Sequence, residues 1–250
     1  MALSRLLVIP AAGRGTRLSA DTPKPLVSVG GRSMLDRLAD LYTPFVDGIV
    51  VIASPVSRAA VSRWASGRAA IVVEQAAPTG MLDAILLAAP AVEARRPDAV
   101  WITWADQVGV LPGTLRRVVE AEEQRPGPAM IVPTVTRSDP YIHFTRDARG
   151  RIAGLLQRRE GDAMPGEGEG DVGVFAMARE IFRKELQEFA GRAAAGSGTG
   201  ERNFLPFIPW LARRQNVVTI PCSDPMEAIG VNTPEDLQVV EAWLASRSGA

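Results

Sequence analysis

The sequence predicts an α/β fold, with a mostly parallel sheet, helices on both faces and an inserted antiparallel hairpin region. Three observations support it. Apolar runs of strand length alternate with helix-length amphipathic segments through the first 135 residues. The intervening segments are long enough for the crossover helices that parallel strands require. Beyond residue 136, three apolar runs follow one another without a helix between them, a pattern typical of antiparallel strands.

The elements of the first half follow from these runs. The stretch 6–10 is apolar throughout, which favours a strand buried on both faces. Ser33 with Asp36 three residues later is an Asp variant of the capping box and predicts a helix start. Further strands are predicted over residues 48–53, 70–74, 99–104 and 130–135, and helices over 33–42, 56–65, 81–89 and 111–123.

The second half reads differently. Strands are predicted over residues 142–146, 152–158, 172–177, 217–221 and 228–231, and helices over 179–189, 204–213 and 235–244. Asp147–Gly150 has the composition of a turn, and Thr233 that of a helix cap. The Gly-rich stretches 161–170 and 193–200 are predicted to be flexible loops. No repeat or linker interrupts the chain, so a single domain is predicted over residues 1–250.

Composition excludes several classes of function. Lys and Arg total 28, as do Asp and Glu, which argues against a generally basic nucleic-acid binder. With one histidine (His143) and one cysteine (Cys222), zinc clusters and disulfide frameworks within one chain are excluded. We expect His143 to be structural or to line a pocket, and Cys222 to be structural. No apolar run approaches the length of a membrane span, and no targeting segment is evident, so we expect a cytoplasmic protein with no membrane partner.

The loop after the first strand carries the first chemical signal. Gly13 and Gly15 permit a backbone nest of N–H groups that binds anions, although Gly-x-Gly alone is also typical of a tight turn. Arg17 and Lys24 add two cations beside this loop, as a polyphosphate requires. Lys24 stands out because only two of the 28 basic residues are lysines.

Gly13-x-Gly-Thr-Arg17, followed by Pro23-Lys-Pro-Leu26, resembles the signature of sugar-phosphate nucleotidylyltransferases. This superfamily includes N-acetylglucosamine-1-phosphate uridylyltransferase domains, glucose-1-phosphate thymidylyltransferases and molybdopterin guanylyltransferase-like proteins. The resemblance continues through Gln75–Gly80, Trp104–Asp106, Asp171–Gly173 and Gly230–Leu237. It implies a Rossmann-like fold of the nucleotide-diphospho-sugar transferase type, with a nucleotide-binding half (1–135) and an acceptor-binding half (136–250).

The resemblance also implies an activity: Mg²⁺-dependent joining of an NTP and a sugar 1-phosphate to give an NDP-sugar and pyrophosphate. It assigns catalysis to Arg17 and Lys24, and the metal to Asp106 and Asn232. The implied nucleotide-binding residues are Ala11, Ala12, Gly13, Gly15, Thr16, Gln75, Pro78 and Gly80. The implied acceptor-binding residues are Gln157, Asp171 and Gly173. Because an amide both donates and accepts hydrogen bonds, Gln75 weakly favours a pyrimidine base.

Several positions depart from the N-acetylglucosamine-1-phosphate enzymes. Met81 replaces a threonine, Gln157 a glutamate and Asp171 an asparagine, and Asn203–Leu205 lies near a Tyr-x-Thr segment. We therefore expect a different acceptor.

Two alternatives to a sugar 1-phosphate enzyme stay open. One is an enzyme for another acceptor: a phosphoalcohol, a phosphonate, a cyclitol phosphate or molybdopterin. The other is an inactive nucleotide-sugar sensor, against which the retained Arg17, Lys24, Asp106 and Asn232 argue. The cluster Arg158, Arg159, Glu160 and Asp162 either binds an acceptor phosphate or forms a solvated set of hairpin charges. Oligomeric state is not predicted.

Overall fold

A computed structural model of the chain describes residues 3–13, 18, 22–124 and 127–248. The strands in these ranges are β1 (Arg5–Ala11), β2 (Ser28–Val29), β3 (Arg32–Ser33), β4 (Gly48–Ala53), β5 (Ala70–Glu74), β6 (Ala99–Thr103), β7 (Met130–Ser138), β8 (Ile142–Arg146), β9 (Ile152–Gln157), β10 (Glu167–Asp171), β11 (Val174–Ala178) and β12 (Val217–Pro221). The α-helices are α1 (Met34–Tyr42), α2 (Pro55–Ala65), α3 (Met81–Leu86), α4 (Ala89–Arg95), α5 (Pro112–Glu122), α6 (Leu186–Ala190), α7 (Phe207–Ala212) and α8 (Pro234–Ser248).

The predicted fold class is confirmed. β6, β1, β4 and β5 pair side by side in parallel. Along β1, Leu7 and Ile9 join the hydrophobic core on one face of the sheet, and Leu6 and Val8 join the core on the other. Burial on both faces explains why this strand is a continuous apolar run rather than an alternating one.

The antiparallel region is also confirmed. β11 pairs antiparallel with both β6 and β7, β10 pairs antiparallel with β7, and β12 pairs with β7 in parallel. β8 and β9 form a separate hairpin. Its turn is closed by Asp147, whose carboxylate accepts hydrogen bonds from the backbone N–H groups of Arg149 and Arg151 at 2.9 Å each.

Local start signals are confirmed where a single side chain supplies them. The Ser33 hydroxyl accepts from the backbone N–H of Asp36 at 3.1 Å and starts α1. Thr233 Oγ1 accepts from the backbone N–H of Asp236 at 3.2 Å and starts α8. Each bond satisfies one of the N–H groups that a helix start leaves without a partner.

Three predicted elements are wrong. The helix over 81–89 is two helices, α3 and α4, because Pro90 lacks an N–H and begins a new first turn. The strand over 228–231 is instead a 3₁₀ turn, Pro225–Ala228, followed by an irregular segment. Part of the predicted loop 161–170 is strand β10, whose Glu169 pairs with Arg146. The stretch 193–200 is a loop, as predicted, and it forms hydrogen bonds that are described below. Its flexibility stays a prediction.

In the part of the chain that is described, no helix has both the length and the apolar character needed to cross a bilayer.

Candidate functional site

A cleft of about 570 Å³ opens where β1 and β6 end. Ligands of α/β sheets bind at the carboxyl ends of the strands, so this is the expected location of a site. The cleft is lined by eight of the residues predicted from sequence: Ala11, Gly13, Lys24, Asp106, Gln157, Asp171, Gly173 and Asn232.

The ammonium of Lys24 lies between the two side chains predicted as metal ligands. Its Nζ donates to Asp106 Oδ2 at 2.6 Å and to Asn232 Oδ1 at 2.7 Å. The side chains of Lys24 and Asp106 are only 15% and 18% exposed. The fold thus brings together three residues that are far apart in the chain, and it aims two oxygens at one positive charge.

The backbone around these side chains is fixed by hydrogen bonds. The N–H of Val231 donates to the carbonyl of Asp106 at 3.0 Å, which ties the segment before α8 to the segment after β6. Asp236 Oδ2 accepts from the N–H groups of Asn232 and Thr233 at 3.0 and 2.9 Å. Asn232 is therefore held at the start of α8 with its amide oxygen directed at Lys24.

Glu227 joins the same two segments from the interior and was missed by sequence reasoning. It is 1% exposed. Its carboxylate accepts from the N–H of Leu111 at 3.0 Å, and its backbone carbonyl accepts from Gln107 Nε2 at 2.5 Å. Its partners lie more than 100 positions away in the chain, so no local sequence pattern indicates this role.

The oxygen pair fits a small divalent cation. Mg²⁺ prefers carboxylate and carbonyl oxygens and keeps part of its shell for water or substrate phosphates. Asp106 and Asn232 supply one oxygen of each kind, and both already converge on the Lys24 ammonium. Within the described ranges, no group of three or more His, Cys, Asp or Glu side chains is arranged for a metal. Water or phosphate oxygens would complete the shell.

Asp171 and Gly173 line the same cleft. Gly173 has a φ of +74°, and a Cβ there would lie 2.8 Å from Trp104 Cδ1 and from Gln107 Cγ. Only glycine fits this turn. The turn places the N–H of Gly173 2.8 Å from Asp171 Oδ1. Burial nonetheless raises the pKa of Asp171 to about 6, because removal from water disfavours the carboxylate more than this bond favours it.

The raised pKa predicts a pH-dependent stability. Since the pKa of Asp171 in the fold lies above the ordinary value, its stabilising contribution is complete below pH about 4 and is lost as the pH rises through about 6. Asp171→Asn has no such charge. The free energy of unfolding of the variant, relative to the unsubstituted chain, should rise by about 1–3 kcal/mol between pH 4 and 7, at about 1.4 kcal/mol per pKa unit.

Urea unfolding at pH 4, 5, 6 and 7 measures this difference. Asp147→Asn is the control, because hydrogen bonds from Arg151 and Arg149 lower the pKa of that exposed carboxyl. The difference in the free energy of unfolding between Asp147→Asn and the unsubstituted chain should not grow between pH 5 and 7. A pH-independent difference for Asp171→Asn would contradict the raised pKa.

Three further cleft residues were not predicted. Trp104 packs against Phe175 with ring centroids 5.0 Å apart and lines the cleft. Arg137 and Tyr141 line it from β7 and the segment that follows. Arg137 forms no ion pair with any residue of the described ranges. The sequence signal that could have identified Arg137 is the alternation of side chains along β7, which places Val135 and Arg137 on the same face of the strand.

The charged residues between positions 158 and 162 lie in two different environments. Arg158 pairs with exposed Asp139, and Asp162 accepts from the N–H of Gln157 at 2.8 Å. Arg159 and Glu160 do line the cleft.

The described residues include part of the predicted nucleotide-binding site. Ala12 is buried behind Ala11 and Gly13. Gln75 is 7% exposed, and its Nε2 donates to Thr79 Oγ1 at 3.3 Å and to the carbonyl of Gly80 at 3.2 Å, within its own loop. Gln75, Pro78 and Gly80 lie outside the set that lines the cleft. Gly15, Thr16 and Arg17 lie outside the described residues, so their roles stay predictions.

His143 and Cys222 have structural environments. His143 Nδ1 accepts from the N–H of Glu169 at 3.1 Å and joins the hairpin to β10. Burial raises the pKa of the Cys222 thiol to about 11, which leaves it protonated and unreactive near neutral pH.

The chain is similar to several known proteins. The family described as the MobA-like NTP transferase domain matches residues 7–169. The bifunctional protein GlmU of Pseudomonas entomophila (strain L48) is 30% identical over 251 residues, which cover 97% of this chain and 52% of that protein. GlmU of Maricaulis maris (strain MCS10) is 29% identical, over 99% of this chain and 54% of that protein. The chain thus spans about half the length of these relatives.

A solved structure shows the same fold. The inositol-1-phosphate CTP transferase from T. maritima superposes with a TM-score of 0.70 and 19% identity, covering 96% of this chain and 95% of that one.

Proposed function

Because the chain belongs to the MobA-like NTP transferase domain family, we propose that it transfers the nucleotidyl group of an NTP to a phosphorylated acceptor. An oxygen of the acceptor phosphate forms a bond to the α-phosphorus, and the bond from the α-phosphorus to the bridging oxygen of the β-phosphate breaks. Pyrophosphate leaves with that electron pair. Since the nucleophile is already an anion, no residue has to remove a proton from it.

The convergence of Lys24, Asp106 and Asn232 at the cleft carries this proposal. Two polyanions must be held together in this reaction, so the site must neutralise charge and orient the reactants. Lys24 would release its two oxygen partners and bind the triphosphate as a mobile positive charge. Arg17 would hold the β- and γ-phosphates that leave, beside the N–H groups of the loop from Gly13 to Gly15.

Asp106 and Asn232 would hold Mg²⁺. When bound, the ion supplies positive charge to the phosphates and orients them. The backbone of both residues is held by hydrogen bonds: the N–H of Val231 donates to the carbonyl of Asp106, and Asp236 accepts from the N–H of Asn232.

The acceptor is proposed to be a sugar 1-phosphate other than N-acetylglucosamine 1-phosphate, and a cyclitol phosphate is the second candidate. The positions that depart from the N-acetylglucosamine-1-phosphate enzymes support this. Met81, Gln157, Asp171, Asn203 and Leu205 all line the cleft. Substitutions concentrated on one wall change which hydroxyl groups can be bound, while the phosphate-binding residues are retained. Arg137 adds a positive charge to the lining of the same cleft.

A pyrophosphate-release screen tests the proposed function. CTP, UTP, dTTP, GTP and ATP would each be combined with glucose 1-phosphate, N-acetylglucosamine 1-phosphate and inositol 1-phosphate, with and without Mg²⁺. We expect release that requires Mg²⁺, an acceptor and a pyrimidine nucleotide. Nucleotide binding by calorimetry without release from any pair would instead favour an inactive sensor.

A further inference from the structure

We infer that Glu160 is a positioning residue for the acceptor wall of the cleft: its carboxylate fixes the loop 196–203 so that Asn203 faces the acceptor. The inference rests on the proposed function for its kinetic consequence, but its structural part stands on the contacts alone.

The carboxylate of Glu160 is surrounded by donors from one loop. Its Oε2 accepts from the N–H groups of Gly198 and Thr199 at 2.8 and 3.4 Å. Its Oε1 accepts from Thr199 Oγ1 at 2.8 Å and from Asn203 Nδ2 at 2.7 Å. These bonds lower the pKa of Glu160, with the bond from Thr199 contributing most. The side chain is therefore a charged acceptor that is already fully engaged, rather than a group free to bind an acceptor phosphate.

The glycines of the loop allow this close approach. A Cβ at Gly198 would lie 2.3 Å from the carbonyl oxygen of Arg159, and one at Gly196 would lie 2.3 Å from Glu160 Oε2. The small residues that make the stretch look flexible are thus required for its packing against the 3₁₀ turn Arg158–Glu160.

The loop also has its own internal order. The N–H of Gly196 donates to the carbonyl of Glu201 at 2.8 Å, and the N–H of Gly200 donates to the carbonyl of Gly196 at 2.8 Å. Arg202 then exchanges backbone hydrogen bonds with Thr79 and Leu82 at 2.9 and 3.0 Å. The far end of the loop is therefore fixed to the start of α3, and Glu160 fixes the near end.

This arrangement reaches the cleft directly. Glu160, Glu201 and Asn203 line it, and Asn203 occupies a position near one where the resemblance predicts an acceptor contact. One amide donor of Asn203 is held by Glu160, which sets the orientation of the rest of the side chain. Loss of the carboxylate should therefore weaken acceptor binding without touching the phosphate-binding residues.

Hydrogen exchange and kinetics of Glu160→Ala and Glu160→Gln test the inference. Four accepted bonds are lost in the alanine variant, whereas glutamine keeps one acceptor oxygen. Exchange at the amides of Gly198 and Thr199 should rise by about tenfold or more in the alanine variant and by less in the glutamine variant, since opening of the loop exposes them. Glu188→Gln is the control, because Glu188 lies on the preceding helix α6 and forms an exposed ion pair with Arg192.

The kinetic arm uses the pair with the highest turnover in the screen above. The KM for the acceptor should rise by about tenfold while the KM for the NTP stays within about twofold, since only the acceptor wall is disturbed. Unchanged exchange at Gly198 and Thr199 in Glu160→Ala would overturn the inference, as would equal increases in both KM values. If no pair turns over, the proposed function fails, and the exchange arm still decides whether Glu160 fixes the loop.

Discussion

Lys24→Met should lower the rate of nucleotidyl transfer by about 100-fold or more, the scale on which preorganised charge stabilises a transition state. Methionine keeps an unbranched apolar side chain and removes only the ammonium that bonds Asp106 and Asn232. Initial rates of pyrophosphate release at saturating NTP and acceptor measure the effect. The fold should persist, because the ion pair is at the edge of the cleft and water can reach Asp106 when the lysine is gone.

The chain supplies a matched control in its other lysine. Lys184 pairs with Glu180 on the surface and is 74% exposed. Lys184→Met should leave the rate within about twofold, as is usual for exposed ion pairs. Near-normal turnover by Lys24→Met, with an unchanged melting temperature, would remove Lys24 from the proposed catalytic residues.

Asp106→Asn is the second variant with a large expected effect. It should abolish Mg²⁺-dependent turnover, because the substitution removes the negative charge of the pair and leaves two neutral amide oxygens to hold a divalent cation. The shape of the side chain is preserved, so the hydrogen bond of the Asp106 carbonyl to Val231 should remain. The measurements are initial rates across a Mg²⁺ titration and Mn²⁺ binding by electron paramagnetic resonance in the presence of the NTP.

Asp40→Asn is the control for this change. Asp40 pairs with Arg32 at 2.7 Å on the surface, where both side chains are about half exposed. The control should retain both activity and Mn²⁺ binding. Full Mn²⁺ affinity in Asp106→Asn would show that the carboxylate is not a metal ligand, whatever the effect on rate.

Most of the fold followed from the sequence because burial on two faces leaves an unmistakable apolar run. β1, β4 and β6 are of this kind. The points at which helices are interrupted were harder to predict. Pro90 divides one apparent helix into α3 and α4, and the apolar periodicity continues across it. The hydrogen bonds of the loop 193–200 could not be predicted, because composition reports the freedom of an isolated backbone. It does not report a carboxylate that lies 38 positions earlier and accepts the N–H of Gly198.

The candidate site could be predicted where residues form short motifs. Lys24 between two prolines and Asp106 at the end of an apolar strand both lie at the cleft. Glu227 could not be found in this way, and Glu160 was found only as one of a cluster of charges, since each acts through backbone groups of distant segments. Gln75 is the opposite case: it belongs to a recognised motif, but its side chain does not line the cleft. Its amide donors turn toward its own loop rather than the cleft.

The scarcity of lysine gives the chain an internal reference for chemical labelling. One side-chain amine, that of Lys184, is open to solvent, and the other, that of Lys24, is sheltered between two oxygens at the cleft. An amine-selective acylating reagent should therefore react fast with Lys184 and slowly with Lys24 on the same molecule. The ratio of the two labelled peptides in a single digest follows occupancy of the cleft, with no tag on the ligand and no assumption about which ligand it is.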